Sequence, residues 1–295
     1  MRRFLFTVLS IVSFTASAQL ANVPAAFAAL STEPQVLHLK KNHIKVPTGG
    51  HLQGIQALSD SEMIITASSA SYSYYLSASI QQFESIQKIS DGPFRHAGGS
   101  QTFDHKLVVG IEDNHAKDKA EIVMITFDNY GRQISQYLIA HREGSYKRST
   151  AGATGFTRVS SGRYLAAVGD WDSRNIDFYL SRQGSDTLFD SLCTYHVPGT
   201  QPWPSYQSIN LLTDSAGKIY MIGFALDGVN NRADLFEVPL HTNKVDLKLL
   251  STRNFKCRGT SFRYGSGICV NKARQLLIYS CSRNVTADTT ANIFK

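Results

Sequence analysis

Beyond its first residues the sequence has no long apolar run, no stretch where apolar side chains recur at helical spacing, and no low-complexity segment to serve as a linker. The first absence excludes a membrane-spanning helix in the body of the chain. The second argues against an α-rich fold, and the third favours one folded unit. Cysteine is scarce, four in 295 residues, and none recurs at zinc-ligand spacing. G-x-S-x-G, the phosphate-binding loop, the dinucleotide fingerprint and H-E-x-x-H are all missing, so no local signature names a reaction. Lys and Arg are scattered, and no nucleic-acid partner is expected from a formal charge of +7 spread in this way.

What is present begins with Arg2 and Arg3, an apolar run from Phe4 to Phe14, and Ala16-Ser17-Ala18. That order of basic, apolar and small residues predicts a secretory signal peptide over residues 1–18, cleaved after Ala18, with Ala26-Phe27-Ala28 as a second site. The protein is therefore expected to be exported, secreted or periplasmic, as a monomer with no membrane span. Loss of Arg2 and Arg3 lowers the charge from +7 to +5, a mild bias towards anionic partners. Residues 19–34 read as a flexible lead-in and 35–295 as the folded domain.

The periodicity of that domain is β. Met63 to Ala67, Lys106 to Ile111, Ile122 to Phe127, Tyr164 to Val168, Asp177 to Leu180, Ile219 to Phe224, Asp234 to Val238 and Leu276 to Tyr279 are short runs rich in β-branched and aromatic residues. Turn signals such as Ser161-Gly162 and Asp227-Gly228 bound them. Two openings share the pattern H-x-x-G-x-Q, His51 to Gln56 and His96 to Gln101, and looser copies follow around Gly155, Ser208 and Gly267. Five units spaced 45 to 59 residues apart suit four-stranded sheets repeated radially, a β-propeller of five blades, with six as the alternative. A β-sandwich would not explain the recurring opening. The fifth unit ends one strand short at Phe294, and Gln35 to Leu39, or Ile44 to Val46, is expected to supply that strand and close the ring.

In a propeller the loop entering the first strand of a blade and the loop leaving its second strand share a face. His51, His96, Glu112 and Asp170 are thereby expected at one channel mouth, with Gln56 and Gln101 a step deeper in a hydrated channel. Trp171 and Arg174 would form a platform beside them. Imidazole and carboxylate together suit a divalent metal ion, with His51, His96, Glu112 and Asp170 as ligands, or proton exchange with a substrate. A Trp between carboxylates and Arg suits a sugar. Each residue also has a plain structural reading: a blade-to-blade hydrogen bond for the His, a polar channel wall for the Gln, a hairpin loop for Asp170-Trp171-Asp172. Tyr72 to Tyr75 is expected to fill a blade interface or a β hairpin, and Asn284-Val285-Thr286 fits the glycosylation sequon.

Export permits disulfides. A regular hairpin near Ala273 sets Cys269 opposite Leu277 or Ile278 and out of reach of Cys281, which leaves Cys257 with Cys281 as the expected bridge.

The openings His51-x-Gln53-Gly54-Ile55 and His96-x-Gly98-Gly99, with Trp171 to Arg174 before Phe178-Tyr179, resemble an uncharacterised group of exported β-propeller proteins. The resemblance implies a propeller and brings no activity. Ser100 stands where that group has Ile, and Gly152 where a third His would stand. Two functional classes follow: a propeller binding a small polar ligand, sugar-like or phosphorylated, with hydrolysis as the reaction it would carry; or a scaffold that presents its loops to another protein.

Overall fold

The computed structural model describes residues 19–128, 131–241 and 243–295, and the expected signal peptide lies outside them. A first strand, β1 (Gln35–Lys40), precedes five blades. Blade 1 is β2 (Leu52–Ala57), β3 (Glu62–Ala67), β4 (Ser73–Ser79) and β5 (Phe83–Ser90). Blade 2 is β6 (His96–Phe103), β7 (Lys106–Glu112), β8 (Lys119–Phe127) and β9 (Gln133–Glu143). Blade 3 is β10 (Ala153–Arg158), β11 (Tyr164–Gly169), β12 (Asn175–Ser181) and β13 (Phe189–His196). Blade 4 holds β14 (Ser208–Thr213), β15 (Ile219–Asp227) and β16 (Asn230–Glu237), then a small ribbon of β17 (Leu240–His241) and β18 (Lys244–Val245), then β19 (Lys248–Phe255). Blade 5 has only β20 (Ser266–Val270), β21 (Leu276–Cys281) and β22 (Asp288–Phe294) of its own.

The missing strand comes from the other end of the chain. β1 pairs antiparallel with β22, from Gln35 opposite Ile293 to Lys40 opposite Asp288. Five apolar clusters lie between successive blades, the last joining blade 5 to blade 1, so the ring closes at five. Each strand feeds two clusters because successive side chains leave opposite faces: Ile278 faces blade 4 and Leu277 faces blade 1. Tyr75 enters the interface of blades 1 and 2 against Phe127, and Tyr74 that of blades 5 and 1. Ile44 and Val46, the other candidate for closure, form no strand and pack on the blade 5 to blade 1 cluster.

Residues 19–34 are packed, contrary to the flexible lead-in expected. Val23–Ala29 form helix α1, begun by Asn22, whose side chain accepts the Ala25 N–H at 2.9 Å. Val23 and Phe27, one turn apart, are buried between blades 4 and 5. Arg253 donates to the C=O groups of Phe27, Ala28 and Leu30 and so satisfies the last carbonyls of the helix. A helix of seven residues is too short to show a stripe in the sequence.

The expected Cys257 to Cys281 bridge is absent, and all four cysteines are free. Alternation along β21 is the reason. Cys257 Sγ lies 3.7 Å from Ser280 Oγ and packs with the blade 4 to blade 5 cluster, whereas Cys281 leaves the opposite face into the blade 5 to blade 1 cluster. The hairpin register itself is as expected, with Cys269 opposite Leu277. Among the described residues no helix is long and apolar enough to cross a membrane.

The axis is not the hydrated channel expected. Gln56, Gln101, Thr157 and Asn210 are all buried and bond from strand to strand. Gln56 Nε2 donates to the Ser100 C=O at 2.7 Å, Asn210 Nδ2 donates to the same carbonyl at 3.2 Å, and Thr157 Oγ1 lies 3.0 Å from Thr213 Oγ1. Glycine lets the inner backbones approach this closely: a Cβ on Gly267 would sit 1.9 Å from the Ile55 oxygen, and one on Gly99 2.4 Å from that of Gln207.

Candidate functional site

The repeated H-x-x-G-x-Q opening has a local cause. In β2 the register shifts between Leu52 and Ile55, and in β6 between Ala97 and Ser100, so each copy carries a bulge at its Gly. A bulge re-aims the side chains on either side of it. The His of each copy stays at the strand entrance, on the open face, while the Gln turns into the axis. Gly49 and Gly50 lead into His51 with φ of +74° and +77°. A Cβ on Gly50 would lie 2.3 Å from the Ser68 oxygen, so the loop presses directly on blade 1. Ser68 holds the result: its Oγ accepts the His51 N–H at 3.0 Å, and its own N–H donates to the His51 C=O at 3.0 Å.

His96 and Glu112 face each other across β6 and β7. His96 Nδ1 lies 3.0 Å from Glu112 Oε1, both groups buried. The contact is close but poorly aligned, and neither atom has a hydrogen-bond partner. Glu112 Oε2 accepts the Ala151 N–H of the loop into blade 3 at 2.7 Å, which fixes the carboxylate. Gln53 sits between the two imidazoles, its Nε2 2.5 Å from His51 Nε2 and 2.8 Å from His96 Nε2. With the amide nitrogen as donor to both, each Nε2 is an acceptor and each ring carries its proton on Nδ1. The His51 and His96 ring centroids are 5.4 Å apart. Burial first, then electrostatic interaction with His96, Arg283 and Arg263, holds the His51 imidazole down at about 4.

An aromatic ring stands at each end of this pair. Tyr264 meets His51 edge-on at 5.9 Å, and Trp171 lies 6.3 Å from His96. Lys117 Nζ rests 4.0 Å from the Trp171 ring centroid, and the guanidinium carbons of Arg263 and Arg283 lie 5.7 and 5.4 Å from that of Tyr264. Lys117 is held at φ +57°, a left-handed conformation that costs a non-glycine residue about 1–2 kcal/mol. Its N–H donates to the Asp113 C=O at 2.9 Å and its C=O accepts the Lys147 N–H at 2.6 Å, which keep it there. Beside His51, a cavity of about 280 Å³ opens between blades 5 and 1, lined by Pro47, Gly50, Tyr74, Arg283 and Asn284 among others.

The structure thus brings His51, His96, Glu112 and Trp171 together and leaves out four residues expected with them. Asp170 accepts the N–H groups of Arg174 at 2.9 Å and Asn175 at 3.3 Å, and the Asn175 amide at 2.5 Å, so its carboxylate is consumed by its own turn. Arg174 is exposed and enters that turn through its backbone. Gln56 and Gln101 are committed to the axis beneath the site. The metal site expected of His51, His96, Glu112 and Asp170 is not assembled: the Gln53 amide stands between the imidazole nitrogens and Asp170 faces elsewhere. Among the described residues no group of three or more His, Cys, Asp or Glu is placed to hold a metal. Sequence reading missed Gln53, Lys117, Arg263, Tyr264 and Arg283. Gln53 alone left a signal, as the residue that distinguishes H-x-Q-G from H-x-G-G.

No protein-family model matches the sequence, and no curated protein matches it. Solved structures do resemble the fold. An arabinanase of Bacillus subtilis superposes with a TM-score of 0.54 at 13% identity, over 84% of this chain and 95% of that one. An α-L-arabinanase of Penicillium chrysogenum, complexed with arabinobiose, gives 0.52 at 8% identity, over 88% and 96%. An exo-β-1,3-galactanase of Clostridium thermocellum gives 0.51 at 10% identity, over 86% of this chain and 60% of that one. At such identities the likeness is one of fold, and it agrees with the β-propeller built above.

Proposed function

We propose that the face carrying His51 and His96 binds a small polar ligand of sugar-like chemistry, and that the protein does so outside the cytoplasm. The observation that carries this is the row of four rings, Tyr264, His51, His96 and Trp171, with the Gln53 amide at its centre. Ring faces pack on the apolar face of a sugar while amide and imidazole nitrogens bond its hydroxyls. His51, Trp171 and Tyr264 are half-buried, open enough to meet a ligand. The arabinobiose-bound arabinanase supports a saccharide as an occupant of this kind of fold.

Hydrolysis is a second reading, favoured by Glu112 standing behind His96 as the orienting partner of a general base does. It requires the Gln53 amide to leave His96 Nε2. Glycoside hydrolysis commonly uses two carboxylates about 5–9.5 Å apart across the bond. Here Asp170 is consumed by its turn, which weighs towards binding.

The test is a thermal-shift and calorimetric screen of neutral and acidic mono- and disaccharides. A ligand should emerge whose affinity falls at least about tenfold in both His96→Ala and Gln53→Ala, since each breaks the row that the ligand covers. Wild-type protein that binds no saccharide, with variants that lose only stability, would leave the scaffold class instead.

A further inference from the structure

We infer that the site takes an elongated anionic saccharide lying along the four rings, its acidic groups received by Arg263 and Arg283 at one end and by Lys117 at the other. This rests on the saccharide reading above and adds the ligand's charge and length.

Three observations carry it. First, these cations have no carboxylate. Among the described residues no ion pair joins Lys117, Arg263 or Arg283 to an acid, whereas their basic neighbours on the same side are paired, Lys147 to Asp172 at 3.2 Å and Arg148 to Asp177 at 2.6 Å. Second, each unpaired cation is stationed on an aromatic ring at an end of the row, Lys117 on Trp171 and the two arginines on Tyr264. Lys117 reaches its place through a strained backbone, and Arg283 also lines the cavity beside His51. Two guanidinium groups on one ring gather positive charge that an anion would offset. Their field already bears on the centre of the site, because both lower the basicity of His51.

Third, the row is long. Successive centroids stand 5.9, 5.4 and 6.3 Å apart, so two imidazoles stand between the ring that carries the arginines and the ring that carries Lys117. A chain of sugar rings bearing several acidic groups spans them, and carboxylates and sulfate esters are equivalent to these donors.

The experiment is calorimetry with full-length processed protein and galacturonic acid as monomer, dimer and trimer, the neutral galactose oligomers of equal length, a sulfated disaccharide, and inorganic sulfate. The acidic trimer should bind at least about tenfold tighter than the neutral trimer in 50 mM salt, and the advantage should shrink in 500 mM salt as screening removes it. Affinity should rise from acidic monomer to trimer. Lys117→Gln and Arg283→Gln should each cut the acidic-to-neutral ratio about tenfold, with Lys272→Gln, in the β20–β21 turn, leaving it unchanged. Preference for the sulfated sugar over uronic acids, with the same response to the variants, supports the proposal and identifies sulfate as the group read. Equal affinity for acidic and neutral trimers, each lost in His96→Ala, overturns this inference and spares the saccharide site. Binding of inorganic sulfate as tight as that of the acidic trimer overturns the claim of length. A protein that binds no saccharide at all overturns both readings.

Discussion

Gln101 of β6 and Leu211 of β14 lie in blades 2 and 4, which are not neighbours, yet the Gln101 amide donates to the Leu211 C=O at 2.7 Å and accepts its N–H at 2.6 Å. The same Oε1 accepts the Phe156 N–H of blade 3 at 2.7 Å. One side chain therefore ties three blades across an axis filled by buried side chains. The site rests on this plug and opens to one face only.

Replacing Gln101 tests how much the plug holds. Gln101→Ala strands two buried N–H groups and a carbonyl, each left unsatisfied at about 1–3 kcal/mol. The expected loss is about 3 kcal/mol or more, read as a lower urea midpoint with an unchanged slope. Saccharide binding per folded molecule should survive, because Gln101 lies beneath the ligand face. A midpoint equal to wild type would mean that the axis is held by other contacts.

The sequence showed the repeat, the ring closure and the two His because those features leave local marks. Inner and middle strands are buried on both faces and read as apolar runs, as in Ile219 to Phe224. The outer strands β5, β9, β13 and β19 face solvent and carry no such run, as the largely exposed Gln133 to Glu143 illustrates. The roles of Asp170 and Gln101 were misread for a different reason. Repeat alignment assigns a residue to a level of the propeller but not to a partner, and a buried polar side chain goes to the nearest orphan N–H. Lys117 and Arg283 lie in the loops leaving the second strands of blades 2 and 5, and Tyr264 in the loop entering blade 5; these loops share no sequence pattern, so only folding reveals that the three residues meet.

His51 makes stability depend on pH in a defined window. Its imidazole sits at about 4 in the folded protein against an ordinary value of 6.5. The unfolded chain therefore binds more protons at this residue between those values, and stability falls as pH falls from 6.5 towards 4. Below that window the loss from this residue is complete, and above it there is none. His51→Gln should flatten this part of the profile in urea melts. Arg283→Gln should raise the value of the His51 ring in an NMR titration, because a repelling charge is gone. A His51 that titrates near 6.5 in the wild type would show that water reaches the ring freely.

The N-terminal segment carries the last prediction. β1 supplies the outer strand of the last blade, with Leu39 buried against blade 1, and α1 buries Val23 and Phe27 between blades 4 and 5. Both elements come from residues expected to follow a signal peptide, and the position of cleavage decides whether α1 is kept, β1 being kept in either case. Cleavage after Ala18 retains both. Cleavage after Ala28 would remove Phe27 and leave Arg253 without two of the carbonyls it caps. The protein recovered from an exporting host should therefore begin at Gln19, as N-terminal sequencing would show. Phe27→Ala should cost about 3–5 kcal/mol and Leu39→Ala about 2–5 kcal/mol, the usual range for emptying such sites. Deleting residues 19–48 removes both elements and bares the edge of β22, which lowers stability throughout rather than locally because every blade borders two others. A single cooperative melt shifted far down, or no folded protein, is the expected result. A truncated protein that melts where the wild type does would mean that blade 5 stands without its fourth strand.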